Sequence, residues 1–212
     1  MVVLCHGFGA PGDDLAGFGP HLLEAKASLG PTTLLVFPAA PIDMASMGMP
    51  GGRAWWPINM ATLGQMHQTR DYAQLNDVTP DGMAEATEQL ATCIKEIEAV
   101  TGVPIERTTV GGFSQGAMVT TNLTLNSETA FERLVLFSGT LVSRETWEQQ
   151  ADAHPGCPVL QTHGQQDMVL PFESAEKLRD LLSARGFDVS FVPFNGGHEI
   201  PLPALAALLD VL

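Results

Sequence analysis

Gly112-Phe113-Ser114-Gln115-Gly116 is a G-x-S-x-G pattern set between a buried apolar run, Thr108–Val110, and a helical run, Gln115–Leu125. A serine at such a strand-to-helix turn stands exposed at the carboxyl edge of a sheet. The turn is too sharp for side chains two residues to either side, and Gly112 and Gly116 remove them. The new helix also points its positive end at negative charge developing on a substrate. This context predicts nucleophilic catalysis by Ser114.

A serine hydroxyl needs a base, and the base needs an orienting carboxylate. With a nucleophile of this kind the chain order is serine, acid, histidine. Three histidines follow Ser114: His154, His163 and His198. His198 lies in Asn195-Gly196-Gly197-His198-Glu199, just after the last expected strand, and is the expected base. Asp152 is the only aspartate between Ser114 and His163, and it sits in a helical or loop stretch. His163 therefore reads as a turn residue bonded to backbone, and His154, beside Pro155, as a solvent-facing loop residue. Asp167, in the loop after Val159–Thr162, is the expected acid, against the plainer role of a helix cap. Asp180 lies inside a helix, Asp188 precedes a strand, and Glu199 adjoins His198 where it could start a helix.

The remaining part is an oxyanion hole. Its donors are expected to be the backbone N–H of Gln115 and an N–H from the loop after the first strand, His6-Gly7-Phe8-Gly9-Ala10, with Phe8 as the donor. His6 reads as a brace for that loop rather than a second base.

These residues need a scaffold that brings three distant loops to one edge. Val2–Cys5 and Leu34–Phe37 are continuous apolar runs, and Thr108–Val110, leading into Gly111-Gly112, then Leu134–Phe137, Val159–Thr162 and Val189–Phe194 follow as further short apolar, β-branched runs. Continuous rather than alternating hydrophobicity marks strands covered on both faces, as in a parallel sheet. Helical patterns fall between them at Thr79–Val100, Gln115–Leu125, Pro171–Arg185 and Ala204–Leu212. Thr79 is the expected cap of the first, Pro80 its first turn, and Gly102 its stop. The βαβα rhythm predicts an open, doubly wound α/β sheet of about six mostly parallel strands in a single domain, residues 1–212.

One stretch breaks the rhythm. Residues 39–79 hold Pro41, Pro50, Gly51, Gly52 and Pro57, five of the nine methionines (Met44, Met47, Met49, Met60, Met66) and two of the three tryptophans. Such an insertion reads as lid-like, the usual alternative being disorder, against which its Met and Trp content argues. Trp55, Trp56 and Met168 are the candidate substrate-binding residues, since methionine suits varied apolar ligands. Packing of an irregular loop onto the core is the equally weighted alternative. Arg53 reads as an anchor for that loop through hydrogen bonds.

Composition narrows the function. Of 212 residues, 10 are Lys or Arg and 24 Asp or Glu, a formal net charge of −14. A field of that sign does not gather nucleic-acid phosphates or an anionic membrane. No apolar run approaches the ~18 residues of a membrane span. Cys5, Cys93 and Cys157 form no CxxC pair and read as reduced, buried thiols. With no signal-peptide pattern at the start, a cytoplasmic location is the expectation. Because the first residues already form a core strand, there is room for a short upstream segment. No H-E-x-x-H or paired-histidine spacing suggests a metal. Gly7-Phe8-Gly9-Ala10-Pro11-Gly12 fits a bare G-x-G-x-x-G, but Pro11 and the acidic pair Asp13-Asp14 suit an oxyanion loop better than a pyrophosphate cradle.

Four elements, Leu4-Cys5-His6-Gly7-Phe8-Gly9, Gly111-Gly112-Phe113-Ser114-Gln115-Gly116-Ala117, His163-Gly164…Asp167…Val169…Pro171 and Gly197-His198-Glu199-Ile200, together resemble the phospholipase/carboxylesterase family of α/β-hydrolases. Acyl-protein thioesterases and small bacterial carboxylesterases belong to that family. The resemblance implies a cofactor-free serine hydrolase with Ser114 as nucleophile, Asp167 as acid and His198 as base. Two departures bear on substrate. Family members usually carry Trp-Phe-Asp or Trp-Tyr-Asp where this chain has Trp55-Trp56-Pro57. They also carry Ser-Gly-Xaa-Leu-Pro where it has Ser138-Gly139-Thr140-Leu141-Val142.

The expected activity is cleavage of short to medium acyl esters or thioesters through an acyl-enzyme. The expected partner is a small-molecule substrate rather than nucleic acid or membrane, and the expected state a monomer or homodimer. The alternatives are a hydrolase of lactones, polyesters or peptides, and a non-catalytic binding module on the same fold.

Overall fold

Each of the six apolar runs becomes a strand of one parallel sheet. In the computed structural model, which describes residues 1–69, 71–151 and 154–212, these are β1 (Val2–Cys5), β2 (Leu35–Val36), β5 (Thr109–Phe113), β6 (Arg133–Phe137), β7 (Pro158–Gly164) and β8 (Asp188–Phe194). Their order is β2-β1-β5-β6-β7-β8, and every neighbouring pair is parallel. Two short antiparallel strands, β3 (Ile42–Asp43) and β4 (Arg53–Ala54), pair separately.

Alternate residues of the strands feed two cores. Val3, Cys5, Val110, Leu134, Leu136 and Val159 face α4 (Met83–Thr101), α5 (Gln115–Asn126) and α7 (Phe172–Ala184). Val2, Leu4, Val135, Phe137 and Leu160 face α1 (Phe18–Ala25) and α8 (Leu202–Val211). Parallel strands need crossover helices, and right-handed crossovers distribute them over both faces. The doubly wound α/β architecture is therefore as expected. The double burial holds for the central strands but not for β8, an edge strand in which exposed and half-buried residues alternate over most of its length.

Helix ends follow local chemistry. The α4 helix starts three residues later than a cap at Thr79 implies. Gly82 adopts φ 87° as its N-cap, while the Thr79 hydroxyl bonds Ser143 Oγ at 2.5 Å instead. At the other end Gly102 takes φ 71° and donates to Glu98 O, so the expected stop is observed. The insertion is less irregular than its composition implies. It holds β3, β4, α2 (Met60–Thr69) and α3 (Ala73–Asp77). A seven-residue helix, α6 (Arg144–Gln150), buries Trp147 and completes that face. Asp152 and the side chain of Met60 lie outside the described residues.

Among the described residues no helix is long and apolar enough to cross a membrane. All three cysteines are free. Burial pushes their thiols up, Cys157 to about 11, so none is a ready nucleophile.

Candidate active site

Ser114 occupies the tight turn between β5 and α5, with φ 54° and ψ −117°. A non-glycine residue rarely holds such a conformation unless its surroundings over-determine it. The surroundings here are backbone. A Cβ on Gly112 would lie 2.5 Å from Cys5 O, and one on Gly116 only 2.0 Å from the same oxygen. The elbow therefore packs directly on the end of β1, and only glycine permits that approach. The Ser114 N–H donates to Phe137 O at 2.9 Å, and Ser114 O accepts the first helical bonds from Ala117 and Met118.

Asp167 follows β7 by three residues, and His198 follows β8 by four. Adjacent parallel strands thus deliver the Asp167 and His198 loops to the same carboxyl edge, where ligands bind in open α/β sheets. The loops are bonded to each other. Gln165 N–H donates to Phe194 O and Gln166 N–H to Gly196 O, while the Gln166 side-chain amide donates to Asn195 Oδ1 at 2.8 Å. A Cβ on Gly164 would meet Gly197 O at 2.2 Å, so this contact too depends on glycine.

The pair itself is tight. His198 Nδ1 is 2.7 Å from Asp167 Oδ2, and the Asp167 side chain is fully buried. Asp167 Oδ1 accepts the Val169 and Leu170 N–H groups, each at 2.8 Å. Burial by itself would raise the Asp167 pKa. The donors around the carboxylate, His163 and His198 first, outweigh it and hold the group well below the usual carboxylate range. Because the carboxylate can only accept, His198 carries its proton on Nδ1, which leaves Nε2 with a free lone pair. The His198 ring packs on Phe113, the residue before Ser114, with centroids 4.7 Å apart.

Ser114 and His198 line one mainly apolar cavity of about 200 Å³ with Gly7, Phe8, Ile58, Gln115, Met118, Val169 and Leu170. Among the described residues, neither the Phe8 nor the Gln115 N–H donates to a protein acceptor. Both sites expected to supply oxyanion donors are thus at the cavity with their amides free. The arrangement can attack a carbonyl, hold the charge that forms on its oxygen, and move a proton between hydroxyl and leaving group. A larger cavity of about 460 Å³ lies between α4 and α5, but none of these residues lines it. No group of three or more His, Cys, Asp or Glu residues able to hold a metal ion occurs among the described residues.

The structure does not bring Trp55 and Trp56 to the cavity. Both are core residues, 3% and 2% exposed. Trp55 N–H donates to Gln115 Oε1, Trp55 Nε1–H to His6 O, and Trp56 O accepts from Gln115 Nε2. A large indole beside a buried acceptor is better placed as a strut than in contact with substrate. Met168 is 83% exposed beside the cavity-lining Val169, which puts it at the rim rather than in the wall. Ile58, Met118 and Leu170 form that wall instead. Met118 falls one helical turn beyond Ser114, a spacing that would have identified it.

Met44 is buried and Met49 Sδ packs near Gly9, so the insertion's methionines serve partly as packing. Arg53 anchors the loop as expected, its guanidinium donating to Ala40 O and Pro41 O. His6 accepts the Ala40 N–H at Nε2, donates Nδ1–H to Gly7 O, and so braces the oxyanion loop. His154 is buried rather than solvent-facing, its ring bonded to Ser127 O. The rival acids stay apart from the base: Asp180 pairs with Arg179, and Glu199 Oε1 accepts the Gly197 N–H.

A parallel sheet with a strained serine at a strand–helix turn and a buried Asp–His pair on the following loops defines a serine hydrolase of the α/β-hydrolase fold. The Phospholipase/Carboxylesterase family matches residues 1–212, and the chain belongs to that family. It is a hydrolase of carboxylic esters or thioesters. It is 28% identical to an acyl-protein thioesterase 1 of Eremothecium gossypii over 187 residues, covering 87% of this chain and 74% of that one. To an acyl-protein thioesterase 1 of Candida albicans it is 26% identical, covering 100% and 90%. Among solved structures, esterase PE8 superposes with a TM-score of 0.82 at 30% identity, covering 99% of this chain and 89% of that one. Arabidopsis thaliana SOBER1 shares the fold at 20% identity, with a TM-score of 0.76 and coverage of 99% and 95%.

Proposed function

We propose that this chain is one hydrolase domain that cleaves short to medium acyl esters or thioesters of small molecules through an acyl-enzyme on Ser114. Ser114 Oγ attacks the carbonyl carbon as His198 Nε2 takes its proton. Asp167 keeps the imidazole in the required tautomer and stabilises the imidazolium. The Phe8 and Gln115 amides receive the oxyanion. His198 then protonates the departing alcohol or thiol, and in the second half activates the water that releases the acid. No cofactor or metal enters this scheme. The protein acts as a cytoplasmic monomer or homodimer, without nucleic acid or membrane insertion.

The observation that carries the reading is the 2.7 Å Asp167–His198 contact behind a cavity that Ser114, Phe8, Gln115 and His198 share. The cavity's size supports the acyl range. Its lining is apolar apart from Asp14 and the reacting residues. A series of p-nitrophenyl esters and matched thioesters from two to sixteen carbons tests the proposal. The expected profile peaks at short to medium chains. A flat profile, or cleavage of peptides only, would count against it.

A further inference from the structure

The catalytic scheme leaves one buried histidine without a part. His163 is the penultimate residue of β7, and its side chain is 0% exposed. Its Nε2 lies 2.9 Å from Leu170 O and 3.2 Å from Asp167 Oδ2. A carbonyl and an ionised carboxylate only accept, so the ring hydrogen sits on Nε2. Nδ1 is buried and has no hydrogen-bond partner among the described residues. An unpartnered buried nitrogen costs stability. A leucine would fill the space without that cost, so packing alone does not account for an imidazole here. The ring is also held in direction, its edge against Phe172 with centroids 6.1 Å apart.

What the imidazole reaches is the outer edge of the acid. The two backbone bonds from Val169 and Leu170 both end on Asp167 Oδ1. They fix one oxygen and leave the carboxylate free to swing about it. Among the described residues, the side chains on the Oδ2 side are His198, which must itself be oriented, and His163, which is fully buried on β7. His163 also bonds the carbonyl of Leu170, the residue whose N–H holds Oδ1, so one ring ties the far end of the loop back to β7. It does not line the substrate cavity.

We infer that His163 is a positioning residue: its Nε2–H holds Leu170 O and so ties the 164–170 loop to β7, its ring edge lies against Asp167 Oδ2, and together these contacts aim the His198 imidazole at Ser114. This role rests on the proposed Ser114–His198–Asp167 assignment. The same N–H helps keep the carboxyl ionised within a buried site.

The test compares His163→Leu, His163→Gln and His163→Asn with wild type and Ser114→Ala. The readouts are kcat and KM on p-nitrophenyl butyrate, thermal unfolding, and fluorophosphonate labelling rate. A glutamine amide reaches the place of Nε2, whereas an asparagine amide reaches only that of Nδ1. The expected result is a fall in kcat of about 10- to 100-fold in the leucine variant with KM little changed, the size of effect a misplacement near 1 Å produces. Glutamine should restore most of that loss and asparagine little of it. Equal kcat across folded variants, or a loss carried by KM, would overturn the role. Should the leucine variant not fold, ¹⁵N-histidine NMR of the wild type still decides. Hydrogen at Nε2 of His163 supports the clamp, and hydrogen at Nδ1 refutes it. Turnover and labelling retained by Ser114→Ala would instead signal failure of the underlying assignment, whatever the His163 variants do.

Discussion

The backbone N–H of Gln115 belongs to the proposed oxyanion site, and its side chain carries a separate, measurable prediction. Oε1 accepts the Trp55 N–H at 2.9 Å and Nε2 donates to Trp56 O at 2.8 Å. Gln115 is 1% exposed, and its two partners are 3% and 2% exposed. Gln115→Leu keeps the volume and strands both backbone groups away from water. Each stranded group costs about 1–3 kcal/mol, hence ~2–6 kcal/mol for the pair. The apolar atoms gained by leucine offset about 1–2 kcal/mol. A net loss of about 3 kcal/mol is expected, a Tm lower by roughly 6–12 °C for a chain of this length. Urea unfolding measures it as a lower midpoint at unchanged slope. Amide exchange should accelerate first at residues 53–58, where the insertion is fastened to the elbow. A loss below about 0.5 kcal/mol, the level of an ordinary surface change, would refute the claim that these two bonds hold the insertion down.

Three further outcomes are expected. Asp167→Asn should lower kcat by about 10⁴-fold with the protein still folded, because the imidazole loses its tautomer and its counter-charge; steady-state kinetics beside circular dichroism checks this. Met118→Ala deepens the cavity wall, so the preferred acyl chain should lengthen, with each methylene newly accommodated contributing ~0.8 kcal/mol, about fourfold in kcat/KM; an unmoved chain-length optimum would place the acyl group elsewhere. Burial, partly opposed by its Gly7 bond, lowers the His6 pKa, so the unfolded chain binds that proton more readily. The resulting stability is present above about pH 6.5 and is lost as pH falls toward the lowered native value, and His6→Gln should flatten that part of the pH–stability curve relative to wild type.

Much of this site was legible because its parts obey local rules. The elbow announces itself by two glycines at fixed offsets, and the structure explains them by contacts of 2.5 and 2.0 Å with Cys5 O that no side chain survives. Short apolar, β-branched runs between longer helical patterns marked all six strands, the half-buried edge strands β2 and β8 included. Asp167 and His198 could be placed because strand ends in a parallel sheet share one edge.

What remained hidden depends on tertiary contact. Trp55 and Trp56 look like a greasy binding surface, yet their polar atoms are claimed by His6 and Gln115, residues about 50 and 60 positions away. Nothing in local spacing reports such pairings. His163 reads as a turn histidine, and only the return of the 164–170 loop shows that its ring touches the acid as well as a carbonyl. The helices α3 and α6, five and seven residues long, are too brief to leave a periodic trace.

The most direct test of the account is active-site labelling. Wild-type protein treated with a fluorophosphonate should be modified once, with the adduct mapped by mass spectrometry to the peptide containing Ser114, in parallel with loss of p-nitrophenyl ester turnover. Ser114→Ala should take up no label and hydrolyse no ester above background. An adduct on another residue, or turnover that survives the Ser114→Ala change, would contradict it.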